Sequence, residues 1–125
     1  MLMLYRGMRP APDGLPECGT TGRSLGVRVP EDITPDTSGR VHPGTGGMSC
    51  APDDPMLLRP HRRPRTLRGT GPDAVFAFPV ADLGVDLTAR QDSPTHALVE
   101  PCAVTELPAY VAVLHATRPR WIKIA

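Results

Sequence analysis

The stretch AVFAFPVADLGVDLTARQDSPTHALVEP, residues 74–101, decides how this chain folds. Val75-Phe76-Ala77-Phe78 is a compact apolar run held between the turn residues Gly71-Pro72-Asp73 and Pro79, the signature of a buried strand. Leu83, Val85, Leu87 and Ala89 then alternate, with Asp86, Thr88 and Arg90 on the other face, a period of two that reads as a half-buried strand. His96 to Pro101 makes one more short strand, with His96, Leu98 and Glu100 on one face and Ala97 and Val99 on the other. Short strands between turns set the class.

Working outward, the chain carries 16 prolines and 12 glycines, which exclude long helices over most of its length. Apolar patches nevertheless recur regularly, so the punctuation reads as a loop-rich fold rather than as disorder. Leu2, Leu4 and their neighbours suit a first strand, stopped by Gly7 and Pro10, and a loop follows through Pro12, Gly14, Pro16 and Gly19. Leu25, Val27 and Val29 alternate with Gly26 and Arg28, a short strand or extended segment ended by Pro30. Gly44-Thr45-Gly46-Gly47-Met48-Ser49 reads as a glycine-rich turn. One helix stands out. Thr105 is its cap, Glu106 favours its positive end and Pro108 sits in its first turn. Leu107, Tyr110, Val111 and Leu114 form a single apolar stripe. Arg118 and Pro119 close the helix, and Trp121 is placed to anchor the tail against the core. The expected class is α+β, with short mixed β-strands, long Pro/Gly-rich loops and one C-terminal amphipathic helix.

At 125 residues the chain forms one domain. Hydrophobic residues make up 40% of it and aromatics only 4%, so the core is built mainly from Leu, Val, Ile, Met and Ala. The net charge of +1 lacks the basic excess by which most nucleic-acid binders declare themselves. Cys18, Cys50 and Cys102 are odd in number and widely spaced, which suits three reduced thiols better than a disulfide framework or a zinc site. The apolar start Met1–Arg6 is too short for a signal-peptide core, and no apolar run approaches the ~20 residues that cross a bilayer. Neither a secretory signal nor a membrane partner is expected.

Three places carry candidate chemistry: Tyr5-Arg6-Gly7, Gly46-Gly47-Met48-Ser49, and the strand around His96 and Glu100. Arginine supplies a fixed cation with forked donors suited to phosphate. Glycines let backbone N–H groups approach a ligand, and a following serine can hydrogen-bond it. A carboxylate on a short strand can accept a ribose hydroxyl and stabilise positive charge at the anomeric carbon. Arginine, serine and glutamate on separate strands suit cleavage of the nicotinamide–ribose bond of NAD. The basic run Arg59, His61, Arg62, Arg63, Arg65, Arg68 reads as a solvated loop, a contact to the NAD pyrophosphate, an acidic antitoxin site or an RNA contact. It has no interleaved aromatics, which disfavours RNA.

Leu4-Tyr5-Arg6-Gly7 resembles the first-strand motif of many ADP-ribosyltransferases. Leu25–Arg28, Val41–Ser49, Pro60–Pro64 and Pro94–Pro101 extend the likeness, and from Leu4 to Trp121 the chain is similar to small bacterial toxins with a minimal ADP-ribosyltransferase-like fold. The resemblance implies NAD as substrate, a macromolecular ADP-ribose acceptor, a cognate antitoxin or immunity protein, and action in a bacterial cytoplasm, by delivery where the target is another cell. It gives Arg6, Ser49 and Glu100 the catalytic places, with Tyr5, Arg6, Gly7, Gly46, Gly47, Ser49 and His96 contacting NAD. Leu98 stands where arginine-modifying transferases carry Gln or Glu, which points to another acceptor or a different handling of NAD. Gln91, Asp92 and His96 rival Glu100 for the third place. Hydrolysis of NAD, and a catalytically silent interaction module, remain the alternatives.

Overall fold

A computed structural model describes residues 1–125. In chain order the strands are β1 (Met3–Met8), β2 (Arg40–Val41), β3 (Met48–Pro52), β4 (Ala74–Pro79), β5 (Leu87–Ser93), β6 (His96–Pro101), β7 (Thr105–Glu106) and β8 (Ile122–Lys123). The helix α1 (Leu107–Ala116) lies between the last two. Six strands form one sheet in the order β5-β6-β3-β1-β4-β8, and β2 pairs with β7 in a second, two-stranded one. The expected mixed sheet is in fact antiparallel in every strand pairing. The one parallel contact is an isolated bridge between Cys18 and Leu25.

β1 lies between β3 and β4, with Leu4 opposite Phe78 and Arg6 opposite Phe76. All of Ala74–Phe78 is buried, which is why β4 is apolar throughout instead of alternating. The helix packs Tyr110 and Leu114 into the core. The Tyr110 hydroxyl donates to the Val99 carbonyl and accepts from the Met48 amide at 3.2 Å, tying α1 to β6 and β3 together. Trp121 closes the far end. Its ring meets Phe78 at 4.9 Å between centroids, and its Nε1–H donates to Thr117 Oγ1 at 2.9 Å. No helix is long and apolar enough to cross a membrane.

Several local expectations are corrected. The helix begins at Leu107 rather than after a Thr105 cap, because Thr105 and Glu106 pair with Val41 and Arg40. Leu25–Val29 is no strand: Gly26 takes φ 155°, and the carbonyls of Ser24 and Gly26 turn to a buried guanidinium instead of a ladder. Alternation from Leu83 is interrupted at Gly84 (φ 80°). Val85 is 89% exposed, and β5 starts only at Leu87 and runs on to Ser93. The first strand continues through Gly7 to Met8, and Met48 and Ser49 already belong to β3.

Trp121→Ala should cost about 3–5 kcal/mol in urea unfolding, as for other buried aromatics. Native tryptophan emission should be blue-shifted, since Trp121 is only 2% exposed. Emission typical of free indole in the native protein would contradict this packing.

Candidate functional site

A cleft with a volume of about 690 Å³ opens over the middle of the sheet. Arg6, Gly7, Ser49 and Cys50 from β1 and β3 line it, as do Leu57–Arg59, His61 and Arg62 from the basic loop. The hairpin between β5 and β6 brings Asp92 and His96 to it, and the loop before β2 brings Arg28 and Asp32.

Arg6 shares the parity of Leu4 and Met8, so its guanidinium enters the interior instead of solvent and is 5% exposed. Its donors are taken by backbone: Nε and Nη2 reach the Ser24 carbonyl at 3.0 and 2.8 Å, and Nη1 reaches the Ser49 carbonyl at 2.6 Å. Burial lowers its pKa, with Asp32 among the groups opposing the shift, yet an arginine stays charged at any working pH. Gly7 is needed beside it, because a Cβ there would run into the Arg62 carbonyl of the loop pressed against β1. Arg62 also donates to the Gly22 carbonyl at 2.9 Å, closing the loop over the strand. Cys50 lies in the same cleft, but burial pushes its thiol up to about 12 and leaves it a poor nucleophile.

Opposite this floor, Asp92 Oδ1 lies 2.7 Å from His96 Nδ1. The ladder shifts register between Gln91 and Ser93, and such a bulge re-aims the side chains beside it. A carboxylate that holds Nδ1–H fixes the tautomer and leaves Nε2 as a base. Arg28 and Asp32 form a two-pronged pair, with Arg28 Nη2 2.9 Å from Oδ1 and Nε 3.2 Å from Oδ2.

Of the residues singled out in the sequence, Arg6, Gly7, Ser49 and His96 line this cleft, while Tyr5, Gly46, Gly47 and Glu100 do not. Tyr5 lies on the opposite face of β1 from Arg6, between Ala51 and Ala77. Gly46 and Gly47 are packing glycines: a Cβ on the first would meet the Asp32 carbonyl, and on the second the Val99 carbonyl. Glu100 is 3% exposed, with Oε1 accepting from Arg90 Nε at 2.9 Å and Oε2 from the Gly44 amide at 3.1 Å. It latches the glycine turn onto β6. Among the rival third residues, Asp92 joins His96 at the cleft and Gln91 does not. Asp32 escaped the sequence reading, since one carboxylate in an irregular loop carries no sign of where it lands. Comparison with protein-family models, curated proteins and solved structures gives no match for this chain.

Arg6→Met should keep the volume but orphan the carbonyls that Arg6 now serves, at about 1–3 kcal/mol for each one left unpaired. An unchanged melting temperature would show that Arg6 is no strut. In the native protein, a thiol reagent at pH 8 should label exposed Cys102 quickly and buried Cys50 only after unfolding. Rapid labelling of Cys50 would contradict its burial.

Proposed function

We propose that the cleft binds NAD and that this chain transfers its ADP-ribose to an acceptor inside a bacterial cell, acting as a toxin. The observation that carries the reading is the cleft itself, where a buried arginine underlies a cationic pocket faced by a histidine–aspartate pair. Four arginines, Arg6, Arg28, Arg59 and Arg62, line it against two aspartates, Asp32 and Asp92. Arg28 is already answered by Asp32, which leaves the donors that Arg62 does not spend on the Gly22 carbonyl for a pyrophosphate. The volume lies in the range of about 300–1,000 Å³ usual for sites of this kind.

NAD supplies an activated bond: ribose C1′ parts from the nicotinamide nitrogen, the electron pair stays with the ring, and the acceptor bonds to C1′. The chain's part is to orient and to move one proton. Arg6 holds the Ser49 carbonyl and so fixes where the Ser49 hydroxyl meets a ribose hydroxyl. His96 Nε2 takes the proton the acceptor loses, and Asp92 stabilises the imidazolium that results. Asp92, as the carboxylate beside His96, also favours positive charge developing on the ribose. Glu100 serves this reading by latching the turn before β3, not by touching substrate. The same base can activate water, so hydrolysis differs from transfer only in the acceptor. The toxin role, the macromolecular acceptor and a neutralising antitoxin or immunity protein rest on the resemblance to ADP-ribosylating toxins.

Nicotinamide release from NAD should fall ~10²–10⁴-fold in His96→Gln and Asp92→Asn. Glu100→Gln, which keeps one acceptor oxygen but turns an NH2 donor toward Arg90 or the Gly44 amide, should hold turnover near wild type while losing stability. Labelled NAD in a bacterial lysate separates transfer from hydrolysis, and growth arrest on expression tests toxicity. NAD binding without turnover would indicate an interaction module. Calorimetry showing no NAD binding would remove the proposal altogether.

A further inference from the structure

Between Asp54 and Asp73 the chain holds five arginines and one histidine and no acidic residue. Elsewhere four of the eight arginines are matched by carboxylates: Arg23 by Asp73, Arg28 by Asp32, Arg90 by Glu100 and Arg118 by Asp13. The flanking acids are engaged too. Asp54 accepts from the Met56 amide, and Asp73 takes both prongs of Arg23 at 2.6 and 2.8 Å.

This loop is rigidly built. Its 3-10 turns, Pro55–Leu57, Pro60–Arg62 and Arg65–Leu67, are strung on buried Arg63, whose Nε donates to the Leu58 carbonyl at 2.9 Å and whose Nη1 donates to the Leu67 carbonyl. Arg62 and Arg63 thus serve the backbone, whereas Arg59, Arg65 and Arg68 are exposed and without a carboxylate partner. Arg68 holds φ 55°, a left-handed conformation that glycine takes more easily, yet an arginine stands there. The same loop carries Met56, 40% exposed, and the half-exposed Leu57 and Leu58 just before Arg59, and half-exposed Leu67 just before Arg68.

Guanidinium groups interleaved with aliphatic side chains on a fixed backbone match protein interfaces, where Arg and Met are enriched and Arg carries much of the binding energy. A phosphate backbone would engage the arginines and leave the aliphatic side chains idle, and no aromatic side chain lies between Asp54 and Asp73 to stack a base. We propose that this loop docks an acidic segment of a partner protein. Its carboxylates meet Arg59, Arg65 and Arg68, and its apolar side chains cover Met56 and Leu67. Leu57, Leu58, Arg59 and His61 also line the cleft, so the segment sits at the mouth. The surface stands whether or not NAD is the cleft's ligand.

The test is selection of a random 16-residue peptide library on the purified protein, followed by fluorescence anisotropy of the recovered peptides. Recovered sequences should combine Asp or Glu with Leu, Met or Phe. Their Kd should weaken at least tenfold on Arg59→Ala/Arg65→Ala/Arg68→Ala and on Met56→Ser, with melting temperatures unchanged because these side chains are exposed. The imidazole signal of His61 should shift on binding while that of His42 stays put. The proposal fails if no peptide is recovered, if the recovered peptides lack acidic residues, or if they bind the triple variant equally well. Tighter binding of a duplex RNA, or a silent His61, would also overturn it.

Discussion

The fold turns on one buried cation. Arg6 sits on a central strand with the parity of the core, and its guanidinium gathers the carbonyls of Ser24 and Ser49 from segments with no ladder between them. Burying a charge costs heavily unless its donors find acceptors, and here the acceptors are the Ser24 carbonyl of an irregular loop and the Ser49 carbonyl of β3. The cost of burial and the cost of irregular backbone offset each other. Arg63 does the same for the basic loop, and Arg118 ties the end of the helix to the Pro16 carbonyl and Asp13 across the first loop. In a chain with so many prolines, arginines stand in for the strands and helices that cannot form.

This arrangement also sets what was readable in the sequence. The strands at Ala74–Pro79 and His96–Pro101, the helix at Leu107–Ala116 and the anchoring Trp121 follow from local periods, and each lies where those periods put it. Leu25–Val29 carries the same alternation and is not a strand, because a guanidinium 18 to 20 residues away claims the carbonyls of Ser24 and Gly26. β2 and β7 are two residues each and exist only because distant segments meet, so no local pattern marks them.

The candidate site was legible by residue type more than by place. Strand parity correctly sets Tyr5 and Arg6 on opposite faces, but it does not reveal that the arginine face is the interior. Glu100 shares a strand face with His96, yet Arg90 and the Gly44 amide occupy its oxygens. The glycine turn resembles a ligand cradle and is used for close backbone packing. Asp92 and His96 come together because a bulge falls at Asp92, beside the Ser93–His96 pair, and register shifts leave little trace in composition.

The order of the strands has a consequence for synthesis. β1 precedes both of its neighbours, β3 and β4, and its longer pairing is with residues 74–79. As the chain is made, this central strand waits for residues 48–52 to cover one edge and for residues 74–79 to cover the other. Non-local pairing of this kind slows folding and leaves an apolar edge open to other chains meanwhile. Met3–Met8 is the segment a ribosome-bound chaperone would have most reason to shield.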